Sequence, residues 1–553
     1  MKTSLLPIAV ALGCGLALAS TPPAAPRASR PPRVAPATAP AQGVNWLMDG
    51  GDNQRSGWVK DETALTTENV KTLKLLWTVH TGNQPRALDS LMAPLVVDAV
   101  PTAAGVKQIV YVVGSSDNLY AIDAATGKMV WQRHFTYALP PARAGRGGYG
   151  GGRGRGPQSP AHLNFLAPGG STDTPAIGAP GPGGVRPLYV TDGGGNLHTI
   201  STATGADLKP TLQMTASKFS LQLYQGNVIY AWGDGIFSAN VDSPHPVFTK
   251  TVGFGGGGGE WGRRGPAIDS HGVVWSTTGD GQVNLTNPNH LILGNSLVGF
   301  KRINGDGAWK VVNWFTPPNW DWLRQRDLDP NNTPTIFDFQ GHEYMVSSGK
   351  ECRLYLVDPS NPGGLDHEHP LYKTPQFCND SADFQNQGSW GALSSWQDAD
   401  GTRYVLAPFW GPPSKDNDFP IVNTPVAKEG GEAAFKMVMV DGHPQLQPVW
   451  ISRDMYRGEP TLIANGMVFA YGAGNNTQQA FPDIGLQFDS SIRAALSNRA
   501  TIYALDAHTG KVLWSSGDQI TSFSHFSGLA VANGKVYLGT YDGTFYCFGL
   551  PTS

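Results

Sequence analysis

The residues of this sequence best suited to chemistry are Asp327, Asp329 and Lys350. Oxidising a hydroxyl group needs a carboxylate that removes its proton and a positive group beside the carbonyl that accepts the hydride. Asp327 and Lys350 suit those two roles, and Asp329 suits a metal ligand or an orienter of its neighbours. Upstream, Trp261 stands in Gly259-Glu260-Trp261-Gly262, where flanking glycines let a planar ligand approach the indole. Asp280, in Thr278-Gly279-Asp280-Gly281, offers oxygen to a hard cation. The same residue types have plainer uses: paired aspartates cap a turn, a lysine is solvated on a loop, and a tryptophan packs between repeats. The choice between these uses depends on the elements that position the side chains.

Those elements are repeats. From Trp46 onward a β-rich run, a Gly/Asp/Asn turn, a second β-rich run and an Asp-x-x-Thr-Gly turn recur, often closed by Trp. The clearest copies are Leu119-Tyr120-Ala121-Ile122-Asp123 with Thr126-Gly127-Lys128-Met129-Val130-Trp131, and Ile502-Tyr503-Ala504-Leu505-Asp506 with Thr509-Gly510-Lys511-Val512-Leu513-Trp514. Degenerate copies lie around Tyr189, Tyr230, Trp275, Tyr355, Tyr404 and Tyr537. Eight units at a spacing of roughly sixty residues predict one all-β, eight-bladed β-propeller of four-stranded blades over residues 44–553. One blade cannot cover its own faces, so each must stack on its neighbours. Trp131 and Trp514 are expected to pack between blades. The segment near Leu75-Leu76-Trp77 is expected to close the ring on the last blade, removing two sheet edges.

The repeat Leu-Tyr-Ala-Ile-Asp-x-x-Thr-Gly-Lys-x-x-Trp resembles that of the pyrroloquinoline quinone (PQQ) dehydrogenases, the quinoprotein alcohol and glucose dehydrogenases, across nearly all of residues 44–553. The resemblance implies a cofactor lying flat on a Trp, a divalent cation such as Ca²⁺ at its reactive carbonyl, an Asp as base, and a Lys or Arg on the quinone oxygens. Asp327-Leu328-Asp329 followed by Pro334 looks like the family's Asp-x-Asp-x-x-x-x-Pro element, which makes Asp327 the expected base and Asp329 a metal ligand. Gly349-Lys350 through Asp358 resembles the segment that supplies the quinone-contacting lysine, and Gly259-Glu260-Trp261-Gly262 the segment of the stacking Trp. Asp280 stands where many members carry a metal-binding Asn. Asp321 offers a second register for the base but lies far from Pro334. The family's early metal-binding Glu has no counterpart between Glu68 and Glu260, and Asp173 is the candidate replacement; adjacent paired cysteines are also absent. The implied reaction is oxidation of a small alcohol or sugar hydroxyl, with electrons leaving to a separate acceptor such as a cytochrome. Related propellers, among them outer-membrane assembly scaffold lipoproteins, share the repeat and bind no quinone, so the repeat implies fold before function.

Composition bounds the rest. Charged residues make up 15% of the chain and the formal net charge is −3, which gives no global attraction to nucleic acid or anionic membrane. Lys2, the apolar stretch Leu5 to Leu18 and Ala17-Leu18-Ala19 read as a signal peptide over residues 1–19, placing the mature chain in the periplasm or outside the cell; lipoprotein processing at Cys14 is the alternative. Residues 20–43, almost all Pro, Ala, Ser, Thr and Arg, read as a disordered linker. The Arg-Gly stretch 144–156 reads as an insertion loop. No other apolar run reaches the length of a membrane span. Export permits a Cys352–Cys378 disulfide and leaves Cys547 buried and free. There is no Cys-x-x-Cys-His for a covalent haem.

Overall fold

In the clearest repeat, strands Leu95–Thr102, Gly105–Gly114, Asn118–Asp123 and Met129–His134 pair antiparallel in sequence order. Ile109 to Val113 and Leu119 to Ile122 are completely buried, because these runs are apolar on both faces and neighbouring sheets cover both. The Asp-x-x-Thr-Gly signal closes the last hairpin. Asp123 Oδ1 accepts the Ala125 N–H at 2.9 Å, and Gly127 takes φ 70°, a left-handed conformation costly for other residues.

Seven further sheets share this four-stranded antiparallel core, two of them with an added two-residue strand (Glu260–Trp261 and Ile421–Val422), in the computed structural model, which describes residues 43–137, 170–214, 218–231, 235–243, 246, 248–252, 258–287, 291–302, 307–416, 418–478 and 488–551. Blade 1 is the sheet above. Blades 2 to 7 run from Ala176–Ile177 to Asp207–Gln213, Gln222–Tyr224 to Phe248–Val252, Ala267–Ile268 to Trp309–Phe315, Thr335–Phe339 to Tyr372–Lys373, Ser394–Gln397 to His443–Ile451, and Leu462–Ala464 to Val512–Ser515. Blade 8 combines Leu529–Ala532, Lys535–Gly539 and Thr544–Gly549 with the early strand Lys74–His80, which pairs antiparallel with Thr544–Gly549. That pairing joins the two ends of the propeller, so the ring closes by backbone hydrogen bonds and Thr544–Gly549 is covered on both sides. The protein is thus an all-β, eight-bladed propeller, with Gly43–Ser553 as one compact unit.

The repeat's Trp and its Thr-Gly turn form one device split between neighbours. Trp131 of blade 1 donates Nε1–H to Thr202 O of blade 2 at 3.1 Å, and Trp514 of blade 7 donates to Leu73 O at the entry to blade 8 at 2.8 Å. Trp77 of blade 8 donates to Ala124 O of blade 1 at 3.2 Å; a Cβ on Gly127 would stand 2.8 Å from its ring. The turn glycine is therefore needed twice, for its φ and for the indole it lies against. Near the hub, fully buried Arg55 and Arg264 donate to carbonyls of several blades, among them Pro266, Leu221, Leu393 and Thr461. Those donors satisfy backbone oxygens that no sheet ladder reaches.

Cys352 and Cys378 form a disulfide with Cα atoms 5.3 Å apart, and Cys547 is buried and free. Residues 1–19 and 20–42, expected as signal peptide and linker, with Cys14 and the Arg-Gly stretch 144–156, lie outside the described residues. Among the described residues, no helix is long and apolar enough to cross a membrane.

Candidate active site

A short helix, Trp320–Arg324, interrupts the β pattern between blades 4 and 5 and delivers the chain to Asp327. Asp327 itself sits at φ 56°, a left-handed backbone that non-glycine residues seldom adopt and that concentrates at functional sites. Two residues later the chain turns inward, and Asp329 is buried while the Asp327 side chain stays half exposed. Lys350 enters from the end of the second strand of blade 5, and its backbone N–H donates to Asp329 O at 3.2 Å. Its side chain is 7% exposed, and its ammonium lies 2.5 Å from Asp327 Oδ1 and 2.8 Å from Asp329 Oδ1. Asn379, next to the disulfide-bonded Cys378, donates its amide to Lys350 O at 2.7 Å, which ties the lysine to the braced loop.

Asp280 joins this group from blade 4. One carboxylate oxygen from each of Asp280, Asp327 and Asp329 lies within 4.8 Å of the others. Three carboxylates against one ammonium leave excess negative charge, which raises the proton affinity of the buried members. Burial, Asp329 and Asp327 push the Asp280 carboxyl up to about 9, and in its protonated form it hydrogen-bonds Asp327. Burial also raises Asp329, against the opposing pull of Lys350. For Lys350, burial favours the neutral amine but the two aspartates outweigh it, so the ammonium is held charged.

The fourth candidate element is Trp261, on the pair Glu260–Trp261 that precedes the inner strand of blade 4. A Cβ on Gly279 would lie 2.3 Å from Trp261 Nε1, so the indole edge packs on the backbone one residue before Asp280. Trp261 Nε1 donates to Gly258 O at 3.0 Å. Its ring centroid lies 6.2 Å from Trp390 and 5.9 Å from Phe219, and the Lys350 ammonium stands 5.2 Å over the Trp390 ring. The fold therefore brings Asp280, Asp327, Asp329 and Lys350 into one cluster and connects Trp261 to it through Gly279 and Trp390.

Two other sequence candidates lie outside the acidic cluster. Asp173 lies on Thr172–Thr174, opposite Phe219 of Lys218–Ser220, accepts the Thr191 hydroxyl at 2.5 Å and is outside the Asp280, Asp327 and Asp329 cluster. Asp321 accepts from Arg324 at 2.8 Å and Gln325 at 2.6 Å on the exposed face of its helix, outside the cluster. Sequence reasoning missed Trp390, although Gly388-Ser389-Trp390-Gly391 has the same glycine-flanked form as the Trp261 segment. It also missed Phe219 and Phe526, whose rings continue the aromatic wall and whose motifs carry no signal.

Fold and cluster together define an eight-bladed β-propeller with a buried acidic cluster at one of its blade entries, and comparison with known proteins finds similar propellers. Residues 46–150 match the family model of the PQQ glucose/ethanol/alcohol dehydrogenase β-propeller domain. A europium-containing methanol dehydrogenase is similar in structure at TM-score 0.56 and 12% identity, over 92% of this chain and 98% of that one. The quinohemoprotein alcohol dehydrogenase from Comamonas testosteroni is similar at TM-score 0.51 and 15% identity, over 92% of this chain and 82% of that one. At such identities the likeness is one of fold. Comparison with curated protein sequences finds no match.

Proposed function

We propose that the protein is an exported PQQ-dependent dehydrogenase that oxidises the hydroxyl of a small alcohol or sugar and passes the electrons to a separate acceptor. One observation carries the reading: Lys350 is clamped between Asp327 and Asp329 beside Asp280, at the edge of an aromatic wall that includes Trp261. Buried polar atoms around the cluster fit a bound group. Asp280 Oδ1, both amide atoms of Asn331 and both of Asn295, whose N–H bonds Gly279 O, have no hydrogen-bond partner. Unpaired buried polar atoms are costly, and a cation with its ligand shell removes that cost.

In this reading Asp280 and Asp329 hold a hard cation such as Ca²⁺, and Trp261 is the surface on which the planar quinone lies. When bound, PQQ supplies a carbonyl that accepts two electrons. Lys350 keeps a fixed positive charge at the oxygens of that group, which a buried ammonium does without reorganisation. Asp327 is the half-exposed member of the cluster and takes the substrate hydroxyl proton at Oδ2, since Oδ1 is engaged by Lys350.

The test is reconstitution of the full chain with PQQ and Ca²⁺, followed by dye reduction with a panel of alcohols and aldoses. Turnover is expected with the wild type. Asp327→Asn should lower it by roughly 10²–10⁴-fold while PQQ still quenches tryptophan fluorescence. Absence of PQQ binding by the wild type would overturn the reading.

A further inference from the structure

Lys350 and Asp327 stand on different segments, and one side chain joins the two. Glu351, the residue after Lys350, is 9% exposed. Its Oε1 accepts the Asn319 side-chain amide at 2.9 Å, and its Oε2 accepts the Tyr355 hydroxyl at 2.5 Å. Asn319 immediately precedes the helix Trp320–Arg324, and its carbonyl accepts the Leu323 N–H at 3.1 Å. Leu323 O in turn accepts the Leu328 N–H at 3.0 Å, one residue beyond Asp327. Tyr355 is buried on the third strand of blade 5 and packs on Phe315 at the end of blade 4, with ring centroids 5.3 Å apart. Glu351 is thus fixed to the sheets through one oxygen and holds the helix through the other.

The helix does not hold itself. At five residues it is far below the roughly 12–15 at which an isolated helix becomes even marginal. Asn is a preferred residue at the cap position, yet the Asn319 side chain makes no cap bond and donates to Glu351 instead. Asp327 adopts φ 56°, and backbone in that region persists only where its surroundings over-determine it. Hydrogen bonds to a carboxylate are stronger than those between neutral groups, which suits Glu351 to this restraint. Arg353 Nε, 3.4 Å from Oε1, backs the same oxygen.

We propose that Glu351, outside the acidic cluster itself, is a positioning residue: through Asn319 it clamps the helix ahead of Asp327 to the lysine loop and so sets the Asp327 carboxylate against Lys350. The inference rests on the reading of Asp327 as the base and adds a residue on which the placement of that base depends.

The full chain with PQQ and Ca²⁺ tests it. Glu351→Ala should lower kcat by roughly 10–10²-fold with little change in KM or in PQQ binding by fluorescence quenching, because a misplaced base slows proton transfer without removing the binding surface. Glu351→Gln should restore most of the rate, since its amide oxygen still accepts from Asn319 and the Tyr355 hydroxyl can accept from its N–H. Asn319→Ala should repeat the loss, and the double variant Glu351→Ala/Asn319→Ala should be no slower than the slower single variant, because the two side chains form one link. Hydrogen exchange reads the same link without turnover: the Gln325 and Leu328 amides should exchange roughly tenfold faster in Glu351→Ala, with blade 1 unchanged. If Glu351→Ala does not fold, Asn319→Ala, which leaves the Tyr355 contact in place, decides by the same two readouts. A lower Tm with unchanged kcat, additive losses in the double variant, or unchanged exchange at those amides would overturn the inference and leave the quinone reading intact. A wild type without turnover would sink the dehydrogenase reading, and the exchange result alone would then decide whether Glu351 holds the Asp327 segment.

Discussion

Lys350 neutralises only part of the charge that Asp280, Asp327 and Asp329 bring together, and the remainder is met by a proton on Asp280. A cation and a proton are then alternatives at the same oxygens. Lys350→Met removes the internal cation, so the variant should be less stable than the wild type in chelator and should gain more in Tm from added Ca²⁺. Equal Ca²⁺ responses in the two proteins would show that the three carboxylates do not share a cation site. At the aromatic side, Trp261→Ala removes the indole that packs on Gly279, and the expected result is at least tenfold weaker PQQ binding with little change in the far-ultraviolet spectrum.

Blade 5 owes the precision of this site to a covalent brace. The Cys352–Cys378 link closes a loop of 26 residues in sequence, and the bracketing contacts run straight to Lys350: Cys352 N–H to Gly349 O and the Asn379 amide to Lys350 O. Loop closure of this length stabilises by about 3.5 kcal/mol in the chain-entropy treatment. Cys352→Ser paired with Cys378→Ser should therefore lower Tm and weaken PQQ binding together. A double variant with reduced Tm but unchanged binding would mean that the brace serves the blade and not the site.

The ring as a whole is closed by Lys74–His80 pairing with Thr544–Gly549, contacts made between the two ends of the sequence. Truncation after Gly539 deletes that strand and uncovers both of its neighbours. The shortened chain should be aggregated or unfolded, as measured by sedimentation and tryptophan emission. The hub has a pH signature as well. Glu459 is fully buried, and burial, opposed by Arg263, pushes its carboxyl up to about 7 from an ordinary 4.5. The folded protein therefore holds a proton that the unfolded chain releases between those values, and stability falls as pH rises through that window. Asp89, pushed up to about 6 by burial, acts in the same direction. Tm should decline from pH 5 to pH 8, and Glu459→Gln should flatten the decline and raise Tm at pH 8 by roughly 1–3 °C. A steeper decline in the variant would show that Glu459 is charged and stabilised by Arg263 in the folded state.

The blades were legible in the residues because each is a local object. Apolar runs such as Ile109 to Val113, the Asp123–Gly127 turn and the Trp131 that follows lie within one repeat, so their types and spacing determined a four-stranded unit and its number of copies. Asp327, Asp329 and Lys350 were legible for the same reason, since blade 5 and its entry place all three. What the sequence could not contain was the meeting of blade entries at the hub. Lys218 and Asp89, a buried ion pair, are 129 residues apart, and Trp390, Phe219 and Phe526 come from three different blades. Asp173 shows the converse, since its type suited a metal site but its carboxylate accepts the Thr191 hydroxyl, outside the Asp280, Asp327 and Asp329 cluster. Side chains from separate repeats become neighbours only when the ring closes, and closure is a property of all eight interfaces together.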